Sequence, residues 1–308
     1  MFKKNNYYFY VFAILSATYA VLVLALPVRK LVLEYYHISL LGLRFIELTY
    51  LVPQILIWSA AFYGFSKIKE YSKSISKYKD GQEIKYIGFG IGALAIGGPF
   101  NAVISTILNA ITQYHDRLIP TVTIINNYLS VILAIIAVLL IGKGAYGLMA
   151  SINARTKYRE LLILSIIYVI VVGGFCYLVF HKLPSSLSFG ISNKPIYYLP
   201  NWLLLFTLVV PYTFVWFIGG YAVLNIRAYQ QKVKGIIYKR SMLFLELGIT
   251  LIIISLVLLQ YLTTVSAKLA TLKILPLLLI IYPILALVAL GYISVAYGAK
   301  KLKKIEES

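Results

Sequence analysis

TYLVPQILIWSAAFYGFSKIKEY, residues 49–71, returns at residues 207–229 as TLVVPYTFVWFIGGYAVLNIRAY. At this offset of 158 residues, Thr49/Thr207, Val52/Val210, Pro53/Pro211, Trp58/Trp216, Tyr63/Tyr221, Ile68/Ile226 and Tyr71/Tyr229 are identical, and Lys69 faces Arg227. The chain holds three Trp and ten Pro, so a match in both types at one offset marks a duplicated segment rather than chance. Each copy is an apolar run with a cationic end, long enough as a helix to cross a hydrocarbon core of about 30 Å.

Working outward from this pair, composition gives the class. Of 308 residues, 61% are hydrophobic and 13% charged, and the mean hydropathy is +0.85. A soluble domain of that length cannot cover its surface with so few polar residues. Eight apolar runs, near 8–26, 48–66, 87–111, 127–150, 160–181, 201–224, 242–262 and 276–298, predict an all-α bundle of eight membrane spans. Lys3 and Lys4 before the first run resemble a signal peptide, but the length of the run argues for a retained span.

The formal net charge of +19 would suit a nucleic-acid binder if the cations formed one patch. They are spread instead through short loops, and no nucleic-acid partner is expected. With both termini in the cytoplasm, the inner segments (the N terminus, 67–86, 151–159, 225–241 and the tail after 299) hold 20 Lys and Arg. The outer segments hold eight: Arg29, Lys30, Arg44, Arg117, Lys182, Lys194, Lys268 and Lys273. This bias predicts orientation. Four spans per repeat is an even number, so residues 1–158 and 159–308 are expected as parallel four-helix repeats about an axis along the membrane normal. Tyr19 and Tyr177 echo the repeat, as does Ala145-Tyr146-Gly147 with Ala296-Tyr297-Gly298. Three connections have their own character. Residues 27–47 suit an outer interfacial helix, 67–86 a solvated basic connector turning at Asp80-Gly81, and 182–200 an irregular outer loop.

The third span carries the most informative polar residues. Asn101, Ser105 and Asn109 recur every four residues and share a helix face, which cannot face lipid at acceptable cost. Gly97-Gly98-Pro99 precedes them, and Pro53 and Pro211 interrupt the duplicated pair. A proline lacks the N–H that a helix needs, so these three are expected helix breaks that free backbone carbonyls. Gln54, Trp58, Trp216 and Tyr212 lie at similar depth and complete a candidate solute site between the repeats. Lys143 and Glu246, at equal depth from the cytoplasmic side, are candidates for an intramembrane ion pair.

Catalysis, metals and cofactors find no support. The one cysteine, Cys176, allows no disulfide within the chain, His37, His115 and His181 sit singly on the outer side, and no Ser or Cys has a base at membrane depth. The sequence therefore suggests a permease for a small, largely uncharged solute in the cytoplasmic (plasma) membrane. The alternative is a non-catalytic scaffold with a membrane-protein partner or a second copy of itself. The partners implied are therefore the lipid bilayer and the solute, with a membrane-protein partner or a second copy under the scaffold alternative. In a Cys176→Ala background, Lys77→Cys and Lys232→Cys should react with an impermeant maleimide only from the cytoplasm, and Lys194→Cys only from outside. Cytoplasmic labelling at position 194 would remove the eight-span topology.

Overall fold

The computed structural model describes residues 6–25, 40–112, 119–153, 158–177, 180–181, 186–188, 198–268 and 274–307. Eight long helices dominate them: α1 (Asn6–Ala25), α2 (Leu40–Ser74), α3 (Lys79–Thr112), α4 (Ile119–Ser151), α5 (Tyr158–Tyr177), α6 (Asn201–Lys232), α7 (Ile236–Lys268) and α8 (Ile274–Glu307). Helices satisfy their own backbone groups, which hydrocarbon demands. Six of them contain stretches long and apolar enough to cross a membrane: Tyr7–Ala25, Asp80–Leu108, Ile124–Ser151, Leu205–Lys232, Ile236–Tyr261 and Ile281–Glu306. The apolar part of α5, Leu162–Tyr177, is shorter. Large apolar side chains such as Ile14, Leu56, Ile170, Phe214 and Leu290 point outward. Water would penalise that surface and lipid does not. The architecture is that of an α-helical membrane protein.

Several expectations change in detail. The basic connector is mostly helix: α2 runs to Ser74, α3 begins at Lys79, and Asp80 stands in the first turn of α3, where a carboxylate suits the helix dipole. Gly235, at φ 99°, makes the turn between α6 and α7, a conformation costly for any residue with a Cβ. In the outer 182–200 segment, a ribbon pairs Ser186–Ser188 (β1) antiparallel with Tyr198–Pro200 (β2). The proposed interfacial helix at 27–47 falls largely outside the described residues. The helix breaks are corrected outright. Pro53 lies within α2, Pro99 within α3 and Pro211 within α6, and each helix continues past its proline. One missing N–H costs less than the several unpaired groups that a true break would expose beside lipid.

Helix neighbours obey a rule of exchange. Within the first half α1 packs on α2, α2 on α3 and α3 on α4; within the second α5 packs on α6, α6 on α7 and α7 on α8. Between halves, α2 packs on α8 and α4 on α6. Swapping the halves turns each of these contacts into another. The contact of α1 with α3 has no comparable counterpart.

Glycines carry the tightest of these contacts. A Cβ on Gly90 of α3 would meet the Ala137 carbonyl of α4 at 2.5 Å and the Ile141 nitrogen at 3.1 Å. On Gly248 of α7 it would meet the Gly291 carbonyl of α8 at 2.6 Å and the Val295 nitrogen at 2.8 Å. In return, Gly144 of α4 lies against the Glu83 carbonyl and Ile87 nitrogen, and Gly298 of α8 against the Ser241 carbonyl and Leu245 nitrogen. From α3 to α7 these pairs keep the offset of 158, while from α4 to α8 the offset is 154. The Ala-Tyr-Gly echo at 151 therefore pairs residues about one turn out of structural register.

Gly90→Ala and Gly248→Ala should each lower the melting temperature in detergent. Overpacking costs about 1–3 kcal/mol and outweighs the roughly 1 kcal/mol that Ala gains in helix propensity. Gly173→Ala, with nothing within 4 Å of the added methyl, should not lower it. An equal response at all three positions would contradict the seam.

Candidate functional site

The polar row on α3 meets a second row on α4. Asn101 Nδ2 donates to Ser130 Oγ at 2.7 Å, and Ser105 Oγ to Asn126 Oδ1 at 3.2 Å. Ser130 Oγ also bonds back to the Asn126 carbonyl at 3.0 Å. Asn126 and Ser130 are themselves four residues apart on one face of α4, a signal present in the sequence that the reading above passes over. Asn101 Oδ1 is buried and has no hydrogen-bond partner among the described residues. The side chain of Asn109 lies outside what is described. The neighbouring Asn127 Oδ1 accepts from Gln260 Nε2 of α7 at 3.4 Å, so α4 ties this cluster to the other half.

The other candidates divide between the halves. Gln54 accepts from Tyr19 of α1 at 2.6 Å, and the Tyr19 ring meets Trp58 edge-on with centroids 5.2 Å apart. The Trp58 indole also packs on Gly98 of α3. In the second half Trp216 donates to the Leu164 carbonyl of α5 at 3.2 Å and stacks on Tyr168 at 5.5 Å. Tyr168 bonds to Thr213 and to Tyr261, the latter at 3.1 Å. Tyr212 is buried with its ring 6.3 Å from that of Tyr261. Each Trp thus pins the first helix of its half to the second. The counterpart of Tyr19 is Tyr168, whereas Tyr177 is exposed and packs on His181.

The Lys143–Glu246 pair is not formed. Lys143 is exposed, with its ammonium 4.0 Å from the Tyr86 ring centroid, as a long cation near a membrane surface does. Glu246 is buried on α7, facing Arg227 and Glu160, and Arg227 itself pairs with Glu160 at 3.5 Å. Among the described residues no three His, Cys, Asp or Glu converge as a metal site would require. His37 and His115 lie outside them.

The structure adds a cluster at the end that the charge pattern assigns to the cytoplasm. Tyr229 Oη of α6 donates to Asp80 Oδ2 of α3 at 2.8 Å. Tyr71 Oη of α2 and Tyr238 Oη of α7 are 3.0 Å apart, and Tyr238 also bonds to Tyr229. Tyr71 and Tyr229 are the last identical pair of the duplicated segment, and Asp80 and Tyr238 are likewise 158 residues apart. Both links run from the second helix of one half to the third helix of the other. Burial pushes the Tyr71 phenol well above its ordinary range, which keeps it a neutral hydrogen-bonding group. Sequence spacing contained this symmetry, but nothing in it paired Asp80 with a tyrosine.

With the bundle and its polar clusters placed, the chain is an α-helical membrane protein. Comparison with protein-family models, curated proteins and solved structures found no match.

Tyr229→Phe should lower stability by about 1–3 kcal/mol, because it strips a partner from Asp80 in a largely buried network. In an Asp80→Ala background the same change should cost less. Thermal unfolding of the two single variants and the double variant measures the coupling, and additive losses would argue against a working bond.

Proposed function

We propose that the chain is a permease for a small, uncharged polar solute in the cytoplasmic membrane. Its eight helices span the bilayer as two parallel four-helix repeats, residues 1–158 and 159–308, with both termini inside. The exchange rule among helix contacts and the paired glycine seams support the repeat. The single observation that carries the function is the Asn101 amide. Its nitrogen is engaged by Ser130 while its buried carbonyl oxygen has no partner among the described residues, an expensive state unless something bonds there during function. The tyrosines and Asp80 seal the cytoplasmic end, and the Asn101, Ser105, Asn126 and Ser130 cluster lies on the outer side of that seal. This is the arrangement of an inner gate beneath a neutral site.

One observation favours a scaffold. The α3 and α4 rows bond largely to each other, which is also how polar side chains join helices in lipid. In that reading a membrane-protein partner or a second copy would occupy the outer surface of the bundle.

Proteoliposomes challenged with glycerol or urea in stopped-flow light scattering test the two. The permease reading expects faster flux of at least one probe with the wild type. Asn101→Leu should abolish that flux while its melting temperature stays near that of the wild type. The scaffold reading expects no flux and a clear fall in melting temperature. Flux that survives Asn101→Leu in a destabilised protein would overturn the permease reading of this site.

A further inference from the structure

A cavity of about 730 Å³ opens between α1, α2 and α3 at the same end as the tyrosine cluster. Lys69, Lys73 and Lys85 line it together with Gln82, Ser72 and Ser76, and no carboxylate is in its wall among the described residues. It shares the walls of Tyr8, Phe65 and Phe89 with a groove of about 380 Å³. Among the described residues that groove is lined by apolar and aromatic groups: Gly92, Ala93, Ile96, Gly97, Phe100 and Leu133 complete it. Gly92 and Gly97 lie one and two turns or more beyond Gly88, so the groove climbs α3 from the charged end toward the bilayer interior. Both volumes lie within the usual range of ligand sites.

The second half shows what the equivalent position requires. Lys69 corresponds to Arg227, and Gly88, in the cavity wall, corresponds to Glu246. There Arg227 pairs with Glu160 at 3.5 Å, and the buried Glu246 lies close enough to feel the charge of both. The second copy thus sets the chain's own carboxylates near its cation. In the first copy the Lys69 ammonium rests 4.1 Å from the Tyr8 ring centroid, and a glycine stands where the carboxylate would be.

We propose that this cavity binds an anionic phospholipid of the cytoplasmic leaflet, its phosphate among Lys69, Lys73 and Lys85 and one acyl chain in the groove along α3. Phosphate suits the lysines as a compact charge acceptor, and a basic pocket between helices on the cytoplasmic side suits an anionic headgroup. The groove requires an apolar tail, which a free anion lacks. Burial and the neighbouring Lys73 push the Lys69 pKa below its ordinary value, and a phosphate beside the ammonium would oppose that shift.

Delipidated full-length protein in detergent, titrated with dioleoyl phosphatidylglycerol, dioleoyl phosphatidylcholine or inorganic phosphate, tests the assignment. Melting temperature and native mass spectrometry provide the readouts. Phosphatidylglycerol alone should raise the melting temperature and remain bound. Lys69→Ala with Lys85→Ala should weaken its affinity about 30-fold, taking roughly fivefold per lysine. Gly88→Glu, which supplies the carboxylate found in the second half, should abolish the response. Lys234→Ala, in the α6–α7 turn, should leave it unchanged. Equal responses to the two lipids, a response to phosphate alone of the same size, or full binding by the double lysine variant would each overturn the proposal.

Discussion

The contact on which the bundle depends is the approach of backbone to backbone at Gly90, Gly144, Gly248, Gly291 and Gly298. In lipid, apolar side chains gain little by leaving the acyl chains for one another, so helices associate by close van der Waals fit and by interhelical hydrogen bonds. A glycine removes the Cβ that would hold two helices apart, and its absence lets the α3–α4 and α7–α8 pairs close. The surfaces of those pairs are what α2 and α6 pack against. The remaining polar chemistry is then placed at their ends: the amide and hydroxyl rows beyond the α3–α4 seam, the tyrosines and Asp80 at the opposite end.

The two halves use similar helix contacts for different local environments. Trp58 and Trp216 both fasten the first helix to the second, one beside Tyr19 and Gln54, the other beside Tyr168 and Thr213. At the inner end the same helical positions hold a glycine in one half and a buried glutamate in the other. The departures from symmetry are chemically coherent. The first half has a cavity lined by lysines, and the second pairs its arginine with Glu160.

Much of this was legible in the residues themselves. Each expected span overlaps a long helix, and six of those helices contain stretches long and apolar enough to cross a membrane, because apolar length is a strong signal. The polar row of α3 was visible as Asn101 and Ser105 at helical spacing, and burial against a partner row followed from the cost of exposing amides to lipid. Other features were hidden for physical reasons. Proline carries a local prohibition, yet at Pro53, Pro99 and Pro211 the surrounding bundle overrides it. Asp80-Gly81 reads locally as a turn, but Asp80 also suits the start of a helix. The tripeptide Ala-Tyr-Gly misplaced the α4–α8 register because the offset falls by four residues after α3, and only packing reveals which glycines are equivalent. Lys143 and Glu246 share a depth, and depth alone does not set the azimuth around a helix that decides who meets whom.

The crossed tyrosine links have a mechanical meaning. Tyr71 to Tyr238 and Tyr229 to Asp80 are related by the same exchange that relates the halves, and Tyr238 joins them into one network. Each link ties the second helix of one half to the third helix of the other, so the two together cross-brace the halves at this end. Through Tyr238 the four helices α2, α3, α6 and α7 share a single hydrogen-bonded knot, and no one of them meets its neighbours there through apolar contact alone.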